Sequence, residues 1–213
     1  MNLVTTILSI IAAISAGITI FSSYSDNKLA LYVFKPLTTI LVIILSVLFS
    51  RVSFHNHNEL IFTGLVFCLL GDIFLMLHQK FMQGLISFLI AHILFLSFFY
   101  LKSETHNYYL LIPVYLIGLT VYGILFNKLG KMKFPVFIYL TILFLMAWSG
   151  ISFYFTTHSP AAEIIAVAVV LFVFSDANIA FNKFNKPYKL AEFLILSAYF
   201  VSIYLIAFSL NFL

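Results

Sequence analysis

The chain is expected to fold as an all-α membrane bundle of about eight transmembrane helices. Two observations predict this. Of its 213 residues 63% are hydrophobic and only 8% charged, more apolar matter than a soluble core of this length can bury. Apolar runs of about twenty residues, enough for one helical crossing of the hydrocarbon layer, recur along the whole sequence with short polar connections between them.

The first span is placed at residues 3–23. It has no basic segment ahead of it and no small-residue cleavage pattern, so it reads as a retained helix and not a signal peptide. The second, 29–50, contains the dipeptide Lys35-Pro36. The third, 59–78, carries Asp72 inside an unbroken apolar stretch, together with Cys68. As the single cysteine, Cys68 leaves no disulfide framework and no thiolate metal site, and reads as a packing residue. The fourth, 82–101, holds His92, the only histidine well inside a span. The fifth and sixth, 108–126 and 135–157, qualify on apolar length. The seventh, 161–181, brings Ser175, Asp176 and Asn178, and the eighth, 190–211, brings Glu192 and Tyr199. No extramembrane domain is expected: residues 1–213 form one transmembrane domain with possible halves at 1–106 and 107–213.

Basic residues predict the orientation. Lys28, Lys80, Lys128, Lys131, Lys133, Lys183, Lys186 and Lys189 fall in the connections after odd-numbered spans, and only Arg51 and Lys102 fall on the other side. That asymmetry places the odd-numbered loops in the cytoplasm and both termini outside. The formal charge of +4 is therefore a topology signal and not a nucleic-acid surface.

The same lysines set depths. Asp72 precedes Lys80 by eight positions, Asp176 precedes Lys183 by seven, and Lys35 follows Lys28 by seven. All three charges then share one layer roughly 10 Å inside the cytoplasmic boundary. Glu59 stands thirteen positions before Asp72, and Glu163 thirteen before Asp176. This faint repeat predicts two parallel four-helix halves, a 4+4 arrangement that faces the two aspartates across a pseudo-two-fold axis.

A carboxylate inside a span costs at least ~2.5 to 3.5 kcal/mol on insertion scales, so it is retained where it faces a polar interior and has a task. Two carboxyl groups in one low-dielectric cavity divide their protons unequally, which suits acid/base hydrolysis. Asp72 and Asp176 are the candidate catalytic pair. Lys35 is placed to pair with an aspartate or hold a phosphate, and Pro36 frees a backbone carbonyl nearby. His92, Asn178 and Tyr199 are candidate substrate-binding groups, able to orient water or a polar head group. Asn182 and Glu192 lie close enough to the interface to be simply solvated. On the fourth helix Phe81, Gly84, Phe88, Phe95 and Phe99 share the face of His92 and read as packing.

No metal is expected. The one close ligand pair, His55 and His57, lies in an external loop far from the aspartates, and catalytic zinc takes three protein ligands. The absence of a G-x-S-x-G elbow and of a Gly-rich phosphate loop removes serine hydrolases and nucleotide enzymes.

The sequence resembles the YhhN-type lysoplasmalogenases. The likeness rests on Lys35-Pro36-Leu37-Thr38, on Leu70-Gly71-Asp72-Ile73-Phe74-Leu75 followed by Phe81, Gly84, Phe88 and Ala91-His92, and on Phe174-Ser175-Asp176 with Tyr199-Phe200 and Leu205-Ile206-Ala207. It covers nearly the whole chain. The resemblance implies hydrolysis of the vinyl ether bond of lysoplasmalogens, without a cofactor, to a fatty aldehyde and a glycerophospho head group. The substrate would be a lysophospholipid drawn from the surrounding membrane lipids. Rival readings of the same residues are a small-molecule or proton-coupled transporter and a hydrolase of another ether or epoxide lipid. The Phe-, Ile- and Lys-rich sequence with minimal loops suggests a bacterial inner membrane.

Overall fold

The computed structural model describes residues 2–25, 27–50, 57–77 and 79–213. Among them eight helices are long and apolar enough to cross a membrane, and there is no strand. They are α1 (Leu3–Tyr24), α2 (Lys28–Phe49), α3 (Asn58–Met76), α4 (Phe81–Lys102), α5 (Leu111–Leu125), α6 (Lys133–Thr157), α7 (Pro160–Phe184) and α8 (Ala191–Ser209). Short 3-10 turns flank α5, completing the span Tyr108–Lys128, and extend α8. The all-α eight-helix reading is borne out. Arg51, His55 and His78, which bear on the orientation, the metal argument and the end of the third span, lie outside the described residues.

Helix ends follow local chemistry. The side chains of Asn2, Asn27 and Ser159 accept hydrogen bonds from the backbone N–H of Thr5, Ala30 and Ala162, satisfying donors that the first turns of α1, α2 and α7 leave free. Pro160 then opens α7, where its fixed φ and missing N–H cost nothing. Two boundaries differ from the hydrophobic ones. α6 begins at Lys133 and runs through Pro135, which the first turn of a helix tolerates. α7 continues to Phe184, so Asn182 and Lys183 are helical; the hydrogen-bond ladder does not stop where apolarity does.

Lipid tails are as apolar as leucine, so helix association rests on close packing. α1 packs on α2, α3 on α4 and α7 on α8; α4 and α7 both lie against α6, and α2 lies against α3 and α8. α5 sits outermost, mainly on α6. Phe95, Phe98, Phe99 and Phe172 are fully buried in the middle, which confirms the packing role of most of the α4 stripe. The centre is thus a ring of α2, α3, α4, α6, α7 and α8, and these six carry the polar residues of interest.

Candidate active site

Near the lysine-rich end of α2, Pro36 interrupts the helical ladder, and hydroxyl groups fill in around it. Thr38 Oγ1 donates to the Phe34 carbonyl at 2.8 Å, Ser15 Oγ donates to the same oxygen at 3.2 Å, and the two hydroxyls lie 2.8 Å apart. This braces the turn that carries Lys35. Lys35 Nζ lies 3.4 Å from Asp72 Oδ1, and the carboxyl is only 1% exposed.

Asp72 Oδ2 accepts from Thr39 Oγ1 at 2.6 Å and from the Tyr199 hydroxyl at 2.8 Å. Asp72 Oδ1 has the ammonium opposite it but no hydrogen bond. Two helices therefore converge on α3 here: α2 with a cation and a hydroxyl, and α8 with a phenol. A buried carboxylate is tolerable only with such a set.

Asp176 is held differently. The Tyr139 hydroxyl of α6 donates to Asp176 Oδ2 at 2.5 Å. His92 Nε2 of α4 stands 3.6 Å from the same oxygen, beyond hydrogen-bond distance, and neither ring nitrogen has a hydrogen-bond partner. No ammonium lies within ion-pair distance of Asp176 among the described residues.

Asp176 also lines a narrow cavity of about 30 Å³ between α3, α4, α6 and α7. The remaining lining is apolar apart from Tyr139 and includes Leu75, Phe81, Phe88, Leu140 and Phe184. A larger groove between α1, α2 and α8 touches neither aspartate, so the smaller cavity is the candidate site.

Phe88 stands between the two carboxyl environments. It lines the cavity, and its ring meets Tyr199 edge-on at 5.7 Å. It fits there because residue 71 is glycine: a Cβ at Gly71 would lie 2.5 Å from the Phe88 ring. Phe172 meets both His92, at 4.8 Å, and Tyr199, at 5.8 Å. Cys68, one turn before Asp72 on α3, is fully buried.

Of the six sequence-predicted residues, Asp72, Lys35 and Tyr199 form one cluster and Asp176 and His92 an adjoining one. Asn178 stands apart. It donates to the Phe174 carbonyl at 2.6 Å and accepts from the Tyr188 hydroxyl, tying α7 to the loop before α8. Lys35 meets Asp72, the first of the two options stated for it. Two residues escaped the sequence reading, Thr39 and Tyr139. A signal for Tyr139 existed: Lys35 and Tyr139 are separated by the same offset as Asp72 and Asp176. No group of three or more histidine, cysteine or acidic side chains able to hold a metal occurs among the described residues.

Comparison with known proteins agrees along the chain. The model of the YhhN family matches residues 30–210. The uncharacterized membrane protein YhhN of Escherichia coli O157:H7 is 24% identical over 205 residues, 94% of this chain and 97% of that protein. Lysoplasmalogenase TMEM86A of Bos taurus is 30% identical over 160 residues, 73% of this chain and 66% of that protein. The Homo sapiens protein of the same name is 30% identical over 166 residues. No solved structure matches the chain.

Proposed function

The chain belongs to the YhhN family, and from that premise we propose that it is a lysoplasmalogenase, an integral membrane hydrolase of the vinyl ether bond of 1-alkenyl lysophospholipids. The observation that carries this reading is the asymmetry of the two aspartates. Asp176 faces an apolar cavity with a phenol and an imidazole beside it, whereas Asp72 is enclosed and faces an ammonium. A vinyl ether needs one acid and one base.

In this mechanism Asp176 gives a proton to the outer alkene carbon, and the ether oxygen stabilises the resulting oxocarbenium ion. Water adds to the carbon next to oxygen and its proton is taken up by Asp72, which reaches the cavity only past the Phe88 ring. The hemiacetal then collapses: the glycerol oxygen leaves with the proton taken up by Asp72, and the hemiacetal hydroxyl gives its proton to Asp176, which restores both carboxyl groups. One water is consumed; the products are a fatty aldehyde and the glycerophospho head group. Tyr139 orients Asp176, with the His92 ring beside it, and Tyr199 and Thr39 orient Asp72. Lys35 balances the charge of Asp72 as it serves as the base. Asn178 stands outside this scheme.

The lysine-rich end is read as cytoplasmic by the positive-inside rule, with the reacting layer near that face and both termini outside. The parallel 4+4 duplication is kept as part of the proposal. It is supported by the common offset of the Lys35–Asp72 and Tyr139–Asp176 contacts and by α8 and α4 each reaching the aspartate of the other half.

The test is product analysis. Purified protein in detergent should release aldehyde from 1-alkenyl lysophospholipid but none from the matched 1-acyl or 1-alkyl lipid. In D2O the aldehyde should carry one deuterium on the carbon next to the carbonyl. A folded, monodisperse protein that releases no aldehyde would remove the reading.

A further inference from the structure

The proposed acid occupies the buried end of the cavity, and its mouth has no role in that chemistry. Along α7 the residues Asp176, Ile179, Ala180 and Phe184 line the cavity at three- and four-residue steps, so it runs from the carboxyl to the lysine-rich end. There Phe81 and Phe184 form a neck, their rings edge-to-face with centroids 6.0 Å apart. Lys183, one position before Phe184, lays its ammonium over Phe81, 4.9 Å from the ring centroid. Among the described residues no carboxylate lies within ion-pair distance of Lys183. Lys35 is already committed to Asp72. The cation at this neck therefore stands without an anion, beside the cavity that holds Asp176.

The spacing suits a particular ligand. Lys183 follows Asp176 by seven residues, or about 10 Å of helix rise. In a 1-alkenyl lysophospholipid about seven bonds separate the alkene carbon that takes the proton from phosphorus, an extended reach of roughly 8 to 9 Å. With the alkene carbon at Asp176, the phosphodiester arrives level with Lys183.

We propose that Lys183, seated on Phe81 at the neck of the Asp176 cavity, is the phosphate anchor of the site and selects single-chain lipids bearing a phosphodiester. The proposal rests on the lysoplasmalogenase reading for the identity of its ligand. An exposed cation–π contact is weak, and a charge-assisted hydrogen bond to phosphate is stronger. The arriving phosphate therefore draws the ammonium off Phe81, and the Phe81–Phe184 neck loosens as the head group docks. Selection and access are then one event at one end of the cavity.

The experiment is a binding comparison on the full chain in a non-ionic detergent. The probes are 1-O-alkyl lysophosphoethanolamine, which has no alkene to protonate, and 1-O-alkylglycerol, which has no phosphate. Calorimetric affinities are measured for the wild type, Lys183→Gln and Lys183→Arg. The expected result is a roughly tenfold loss for the phospholipid in Lys183→Gln, unchanged affinity for the alkylglycerol, and recovery in Lys183→Arg. Equal affinities in wild type and Lys183→Gln, an equal loss for both lipids, or a wild type that prefers neither would overturn the anchor. Aldehyde release by the wild type is scored separately. Selective binding without turnover keeps the anchor and removes the hydrolase reading, and turnover without selective binding does the reverse.

Discussion

Replacing Lys35 with methionine strands the Asp72 carboxyl. The ammonium is 3.4 Å from Asp72 Oδ1, with the two side chains 12% and 1% exposed, so water cannot replace it. Removing one partner of a buried ion pair costs about 3 to 5 kcal/mol, because the other charge is left uncompensated. Thr39 and Tyr199 still donate to Oδ2, which puts the expected loss at the lower end, about 3 kcal/mol. For a chain of this size that corresponds to a fall in Tm of about 6 to 12 °C. Adding Asp72→Asn removes the stranded charge, and the double variant should lie within about 1 kcal/mol of the wild type. The assay is thermal unfolding in detergent of both single variants, the double variant and Lys28→Met, a control at an exposed lysine at the start of the same helix. If Lys35→Met melts no lower than Lys28→Met, or if the double variant shows no recovery, the ion-pair argument fails.

Other outcomes follow from the same geometry. Tyr139→Phe keeps the ring against His92 but removes the donor to Asp176; it should cost about 1 kcal/mol of stability and lower turnover roughly tenfold, read as kcat in the aldehyde assay. Gly71→Ala should push the Phe88 ring away from α3, costing about 1 to 3 kcal/mol in thermal unfolding. Gly17→Ala, at a glycine with open space, should be silent by the same measurement. The buried Cys68 thiol should resist maleimide in the folded protein and react only as it unfolds, which labelling along a thermal ramp measures.

The helices were legible because membrane spans are written in composition: apolar length and sparse charge place them to within a few residues. The intramembrane charges were legible for the complementary reason, since Asp72, Asp176 and Lys35 are costly in an apolar run and so conspicuous. Tyr139 and Thr39 were not, because a phenol or a hydroxyl in a span is unremarkable in a chain with 12 tyrosines and 26 phenylalanines. Only its offset from Lys35, equal to that between the two aspartates, singles out Tyr139. Asn178 shows the converse: it has polarity at the right depth, a fraction of a turn from Asp176, but its hydrogen bonds go to Phe174 and Tyr188. Depth is readable from sequence, whereas rotation about the helix axis depends on packing.

The most direct measurement of the central claim is aldehyde release from 1-alkenyl lysophospholipid by the wild type, Asp176→Asn and Asp72→Asn, each first shown to be folded and monodisperse. The account predicts aldehyde from the wild type and a loss of at least about a hundredfold in both variants, since each removes one member of an acid/base pair. Turnover that survives in either variant would contradict the account.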